Sequence, residues 1–497
     1  MRILIVSSEV VPFAKTGGLA DVAGALPLAL AELGHDVRVA MPKYAAVDDE
    51  RFHLIPILEE IVVKLGDGVA YTTQVKRTVF PHSEVPVYFI QNHQLFGRPG
   101  LYQENGVDYP DNAVRFAVFC KAVLWLMLAL DWVPDIIHCN DWQTALIPVY
   151  LRTDPEVTAN TQLSTPRILY TIHNLAYQGL FEPEFVEKLG IQPSLFHPSG
   201  LEFYGKLNFM KGGILFADEI STVSRRYAEE IQTPEYGCGL EGLLRQRSEH
   251  LHGIMNGIDE RVWNPETDPL IPFRYSFRSI GGKTRCKKAL QAELGLPVDA
   301  NVPLIGVISR LDRQKGFDLL AEVLDELMEK DLQFVLLGTG APEYHQLFEK
   351  AAQRWPKKMS VNLRFDNTLA HRIEAGADIF LMPSRFEPCG LNQLYSMKYG
   401  TPPVVRETGG LADSVVDATP ENLERGIATG FVFRPYDSAA MMEAISRSLA
   451  LYRKKPLWRK LQKAGMEKDF SWRASAKLYV ELFEKMLSGN NPSPSVV

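Results

Sequence analysis

Arg2-Ile3-Leu4-Ile5-Val6-Ser7-Ser8-Glu9, then Lys15-Thr16-Gly17-Gly18-Leu19-Ala20-Asp21-Val22, then Gly34 and Val37-Arg38-Val39-Ala40-Met41: these stretches spell strand, loop, helix and strand. The unbroken apolar run 3–6 suits a parallel strand buried on both faces. An apolar-rich helix is expected over 19–33, bent by Pro27, with Gly34 where a helix C-cap falls. Such a right-handed βαβ unit implies an open parallel sheet.

The alternation continues outward from there. Strands are expected at 85–90, 135–138, 168–172 and 220–223, with helices at 112–130 and 142–151. A stretch with Pro265, Pro269 and Pro272 has no periodicity and is the expected interdomain connection. A second alternating series follows: strand 304–309, helix 317–328 with Leu320, Val323, Leu324, Leu327 and Met328 on one face, strands 334–337, 361–365 and 379–382, and helix 391–399. A last helix, 472–487, carries Leu478, Leu482, Phe483 and Met486 on one side. The expected fold is α/β, with two doubly wound domains in tandem, 1–258 and 259–471. Such a tandem puts a ligand cleft at the carboxyl ends of the sheets.

Composition bounds the function. At 497 residues the chain exceeds one ordinary core, and 46% apolar with 23% charged residues is globular. A formal charge of −7 gives no basic footprint for nucleic acid. Five scattered cysteines make no metal pattern, which points to a reduced, intracellular protein. The apolar runs 3–6 and 122–130 fall short of a leader core and of the ~20 residues of a membrane helix. A cytoplasmic protein without a membrane partner is expected.

Three loops carry candidate chemistry. Gly17-Gly18 before a helix permits close backbone approach, the helix N-terminus favours an anion, and Lys15 adds a charge; a turn with a solvated lysine fits as well. Arg310 and Lys315, five residues apart after a strand, can embrace a diphosphate, or form a solvated basic loop. Glu387, between a strand and a helix, can accept hydrogen bonds from sugar hydroxyls and stabilise a cationic carbon, or pair with Arg385.

The loop Lys15 to Val22 resembles the signature of bacterial and plastid starch and glycogen synthases. Further segments resemble that family in order: His138-Cys139-Asn140-Asp141-Trp142, Thr171 to Gly179, Asn256-Gly257-Ile258-Asp259, Ser309-Arg310-Leu311 with Gln314-Lys315-Gly316, Pro383 to Leu391, and Thr408-Gly409-Gly410-Leu411. The resemblance spans nearly the whole chain. It implies the GT-B fold, two Rossmann-like domains facing a central cleft, with a C-terminal helix (472–497) crossing back onto the N-terminal domain. It also implies α-retaining glucosyl transfer from ADP-glucose, a substrate and not a cofactor, to an α-1,4-glucan or maltooligosaccharide, in the cytoplasm or a plastid stroma.

By the same resemblance, Lys15, His173, Arg310, Lys315 and Glu387 are catalytic. Lys15, Gly17, Gly18, Asn256, Arg310, Lys315, Phe365, Cys389, Gly390, Leu391, Thr408, Gly409 and Gly410 hold ADP-glucose or ADP. Phe365 would stack on adenine, though core packing explains it equally. The Thr408-Gly409-Gly410 amides would face the distal phosphate, a plain turn being the alternative. Glu9, Asp21, Phe96, Asp141, Trp142 and Tyr177 would line the acceptor site, Trp142 offering a flat face to glucose; alone, Asp141 also suits an N-cap. Tyr395 stands where many GT-B relatives have a second glutamate, and Asn140 and Gln143 replace histidines. No metal is implied, because lysines and arginine supply the charge. A UDP-glucose enzyme on the same fold and a non-catalytic glucan-binding relative are the alternatives.

Overall fold

A computed structural model of the chain describes residues 1–489. It forms two compact units. Unit 1 comprises residues 1–223, 228–254 and the chain from Trp472; unit 2 comprises 224–227 and 255–471. The chain therefore changes unit at Ile254–Met255. The proline stretch expected as the connection is instead packed into unit 2. Asp268 within it is buried and accepts from Tyr399 Oη (2.6 Å), with His371 Nδ1 at 2.8 Å. Trp263 lies parallel to the rings of His371 and Tyr395, 3.8 and 4.0 Å away.

Apart from a short antiparallel pair, Gln103–Glu104 with Val107–Asp108, the strands of unit 1, in chain order, are β1 (Arg2–Val6), β2 (Asp36–Pro42), β3 (Ile55–Lys64), β4 (Ala70–Val79), β5 (Pro86–Gln91), β6 (Ile136–Asn140), β7 (Arg167–Ile172), β8 (Leu180–Phe181), β9 (Glu202–Phe203), β10 (Lys206–Asn208), β11 (Glu219–Thr222) and β12 (Leu251–Gly253). One nine-stranded sheet runs β12-β11-β7-β6-β1-β2-β5-β4-β3. Its pairs are parallel except those made by β4. Ile3, Ile5 and Val6 are buried beside β2 and β6, as an unbroken apolar run demands. The antiparallel extension β3–β4 was not expected, and neither was a small sheet β8-β10-β9.

Helix Gly18–Glu32 continues through a buried Pro27, and Gly34 follows its end at φ +89°. Among the described residues, Asn112–Ala129 is the one helix long and apolar enough to cross a membrane, and it is buried over most of its length in the core. The expected helix 142–151 is a short 3₁₀ turn, Trp142–Thr144, followed by helix Leu146–Thr153. The final helix, Trp472–Ser488, packs in unit 1, with Tyr479 and Phe483 against His138; residues 490–497 of the expected helix lie outside the described residues.

Unit 2 has six strands: β13 (Leu304–Ile308), β14 (Gln333–Leu337), β15 (Met359–Asn362), β16 (Ile379–Met382), β17 (Pro403–Arg406) and β18 (Phe431–Phe433). Their order is β15-β14-β13-β16-β17-β18, all parallel. This is the doubly wound Rossmann order, reversing between β13 and β16. In unit 1 the order reverses in the same way between β1 and β6. Helix Phe317–Glu329 buries Leu320, Leu324, Leu327 and Met328 against the sheet. β15 begins and ends before the expected 361–365, which leaves Phe365 beyond the strand.

Candidate active site

In unit 1 the loop after β1 is organised by Glu9. This buried carboxylate accepts from Thr16 N, Thr16 Oγ1, Gly17 N (3.0 Å) and Tyr102 Oη (2.7 Å). Those four donors match the lone-pair capacity of a carboxylate. Glu9, expected to meet the acceptor, therefore holds the loop in shape. Lys15 Nζ lies 2.7 and 2.8 Å from the two oxygens of Asp21, in the first turn of helix Gly18–Glu32. Burial pushes the Asp21 carboxyl up, against the pull of Lys15. A Cβ added at Gly17 or Gly18 would meet nothing within 4 Å, and no side chain caps the helix at Gly17. The helix N-terminus is thus open, as an anion site requires.

The loop after β6 begins at Asp141, whose backbone stands at φ 55°. Its carboxylate caps no amide of its own helix. Instead Oδ1 accepts from His173 N (2.7 Å), with Asn174 N also bonded to the carboxylate. Burial pushes its pKa up to about 7, and the two amides oppose that rise. His173 Nε2 lies 2.8 Å from Asn140 Oδ1, while Asn140 Nδ2 serves the carbonyls of Val6 and His138. The Asn140 oxygen can only accept, so the His173 proton sits on Nε2. Burial lowers the His173 pKa to about 3, so its ring is neutral and exchanges no proton near neutrality.

Two expected acceptor residues face inward. Phe96 is fully buried beside Tyr44, Phe116 and the Arg115 guanidinium. Trp142 is ringed by Tyr102, Phe116, Phe181 and Phe209. Gly179, at φ +66°, lies so close that a Cβ would stand 2.6 Å from the indole. Trp142 thus supports the loop 174–180 and offers no free face on that side. The exposed aromatic there is Tyr177, 55% exposed.

In unit 2 the loops after β13 and β16 interlock. Lys315 Nζ lies 2.6 Å from Glu387 Oε2, which also accepts from Ser384 Oγ at 3.0 Å. Asp312 Oδ1 accepts from Lys315 N (2.9 Å), and Arg385 N donates to Gln314 O (2.8 Å). Asn392 Nδ2 donates to Ile308 O at 2.7 Å, tying the second loop to β13. Gly316 permits this approach: it has φ +79°, and a Cβ would stand 2.1 Å from Pro383 O. Arg310 is exposed, its guanidinium 3.8 Å from Asp312. Glu387 is thus paired with Lys315, not Arg385.

Gly409 and Gly410 press against the Glu387–Cys389 backbone, where a Cβ on either would come within 2.0 Å of a carbonyl oxygen. Gly410 N already donates to Glu387 O and Pro388 O, and Thr408 N to Arg406 O. Those two amides, expected to face a phosphate, instead fix the loop. Cys389 is buried, its thiol pushed up to about 12 by burial, with Asn256 N bonded to it. Gly390, at φ +71°, and Leu391 lead into helix Asn392–Lys398, and Gln393 Nε2 donates to the Cys389 and Gly390 carbonyls. Phe365 is 87% exposed, which excludes core packing. Tyr395 is buried against Trp263.

Every loop described here leaves the carboxyl end of a parallel strand, and β1, β6, β13 and β16 flank the two reversals of strand order. Ser384 and Tyr102 are further residues bonded into these loops. Ser384 lies within the segment Pro383 to Leu391, whereas nothing in the local sequence marks Tyr102, which reaches Glu9 across 93 residues.

Residues 2–246 match the family profile described as the starch synthase catalytic domain, and residues 293–467 that of group 1 glycosyl transferases. Glycogen synthase 1 of Methylococcus capsulatus is 49% identical over 501 residues, covering 100% of this chain and 99% of that protein. The chain belongs to the glycogen and starch synthase family. Another member, the glycogen synthase of Anaeromyxobacter sp., is 49% identical over 487 residues, 98% of this chain and 99% of that one. The solved catalytic domain of Starch Synthase IV from Arabidopsis thaliana, bound to ADP and acarbose, superposes with a TM-score of 0.90 at 35% identity. That match covers 98% of this chain and 99% of the plant domain. The fold is accordingly GT-B, and the family's chemistry is glycosyl transfer.

Proposed function

We propose that this glycogen or starch synthase transfers an α-glucosyl group from ADP-glucose to the 4-hydroxyl at the non-reducing end of an α-1,4-glucan, with retention. The observation that carries the reading is the Lys315–Glu387 pair at the strand-order reversal of unit 2, with Arg310 exposed on the neighbouring loop. An ADP- and acarbose-bound relative supports both the nucleotide and the glucan.

In this mechanism the bond from C1 of glucose to the β-phosphate oxygen breaks, and C1 joins the acceptor O4 on the same face. The acceptor proton passes to a phosphate oxygen of the departing ADP. Arg310 and Lys315, with Lys15 as a third cation, offset the negative charge that grows on the leaving group. Groups that hold that charge most tightly at the transition state accelerate the step. Glu387 stabilises the positive character at C1. Neutral His173 serves through its position and not as an acid or base. Phe365 stacks on the adenine. Unit 2 would receive the donor and unit 1 the acceptor, with no metal required and an intracellular setting.

The test compares donors. With maltoheptaose as acceptor, ADP-glucose is expected to support glucan extension with a kcat/KM at least tenfold above that of UDP-glucose. The reverse preference would overturn the donor assignment, and no extension with either would overturn the reaction.

A further inference from the structure

Consecutive residues of a strand send their side chains to opposite faces of a sheet. Where β6 ends, two consecutive side chains instead close on one residue. Asn140 Oδ1 lies 2.8 Å from His173 Nε2, and Asp141 Oδ1 accepts from His173 N at 2.7 Å. Ring and backbone of His173 are thus gripped separately. The backbone of Asp141 makes this possible, standing at φ 55° and ψ −178°, close to a region that essentially only glycine enters. An aspartate persists there because its carboxylate is bonded to the His173 and Asn174 amides. Strain held in place this way points to a use for the residue it positions.

Asn140 itself has no freedom. It is 1% exposed, and its Nδ2 donates to Val6 O at 3.1 Å and to His138 O at 3.2 Å. One amide therefore ties the ends of β1 and β6 to the residue that follows β7, at the reversal of strand order. Turning the amide over would set its oxygen against two carbonyl oxygens, so its orientation is fixed. The other tautomer of His173 would leave a bare Nε2 facing the Asn140 oxygen, two acceptors with no proton between them. Asn140 accordingly decides that Nδ1 carries the ring's lone pair. Among the described residues nothing bonds to that Nδ1. His138, two residues before Asn140, also has an unpartnered Nδ1, but it is sealed in the core at 0% exposure, whereas His173 keeps 9%. A bare ring nitrogen accepts from an O–H and has no proton to offer a phosphate oxygen. In a sugar-nucleotide reaction its match is a sugar hydroxyl.

We propose that Asn140 is a positioning residue for the transfer: it fixes the His173 ring with the proton on Nε2, so that Nδ1 accepts a hydrogen bond from a hydroxyl of the glucose being transferred. The inference rests on the glucosyl-transfer reading above and adds to it the residue that sets what His173 can bind. Asn140 meets no substrate in this account and acts only through the ring.

The test is a double-mutant cycle on the full chain, with ADP-glucose and maltoheptaose. Asn140→Ala should lower kcat about tenfold, and His173→Ala by at least as much. Because one residue acts through the other, the double variant should be slower than His173→Ala by no more than about twofold. Losses that multiply in the double variant, with the wild type active, overturn this proposal alone. No transfer by the wild type overturns the reaction reading as well. A second measurement holds even where Asn140→Ala fails to fold. In wild type labelled with nitrogen-15 histidine, the His173 ring signals, assigned by their absence from His173→Ala, should show a protonated Nε2 and a bare Nδ1. A proton on Nδ1 would contradict the proposal whatever the kinetics. In folded Asn140→Ala the proton should be shared between the two nitrogens, and an unchanged tautomer there would equally overturn the role of Asn140.

Discussion

Each unit has a glycine pair at the start of a helix beside its candidate loops, and the two pairs are glycine for opposite reasons. Gly17-Gly18 in unit 1 faces open space, where a methyl group would touch nothing within 4 Å. Gly409-Gly410 in unit 2 is jammed on the backbone of Glu387 and Cys389. The first pair leaves room for something from outside; the second lets one loop of the protein lie against another. The cations differ likewise. Lys15 rests on Asp21 with nearly half its side chain exposed, whereas Lys315 is mostly buried on Glu387. An open loop can lose or gain side chains cheaply, while an interlocked one cannot.

Four substitutions break or sharpen that contrast. Glu387→Ala should have the largest effect, cutting turnover at least tenfold and about 100-fold if Glu387 stabilises the transition state; steady-state kinetics at saturating substrates read it. Next comes Gly316→Ala, which forces a Cβ onto Pro383 O and should cost unit 2 about 2–4 kcal/mol. Denaturant unfolding measures that loss. Gly17→Ala, by contrast, should leave stability within about 0.5 kcal/mol of wild type while raising the KM for the donor, separating ligand room from packing.

The smallest effect is one of pH. Asp141 has its pKa raised from 3.8 to about 7 in the folded protein by burial. Between those values the native state keeps a proton that the unfolded chain has lost, so this group's contribution to stability falls as pH rises from about 4 to 7. Asp141→Asn keeps an oxygen for the His173 amide and removes the titration. The melting temperature of the variant relative to wild type should therefore climb across that range and level off above it. A flat difference would mean that Asp141 is charged throughout.

The parallel strands were legible because burial on both faces leaves unbroken apolar runs such as Ile3 to Val6. β3 and β4 were not. Their shifts of register between Pro56, Leu58 and Ile61 spoil the period of two, and Glu59 and Glu60 interrupt the apolar pattern. The stretch around Asp268 read as a linker because three prolines hide any periodicity; its order comes from His371 and Tyr399, over 100 residues away. The same distance problem governs the site. Lys315 and Glu387 each stood out as candidate residues, but only the packing of Gly316 on Pro383 makes them a pair. Glu9 and Phe96 sit in or near segments that read as a site, yet one is filled by Thr16, Gly17 and Tyr102 and the other is sealed in an aromatic core. Direction of a side chain depends on neighbours that local sequence does not contain.

The central claim is that Lys315 acts on charge that develops as ADP leaves. The most direct measurement is the kinetics of Lys315→Ala with ADP-glucose and maltoheptaose, beside a melting curve showing the variant folded. The account predicts that kcat falls at least tenfold while the KM for ADP-glucose changes less than about threefold. A raised KM with kcat intact would mean that Lys315 only holds the donor, and unchanged values of both would remove it from the reaction.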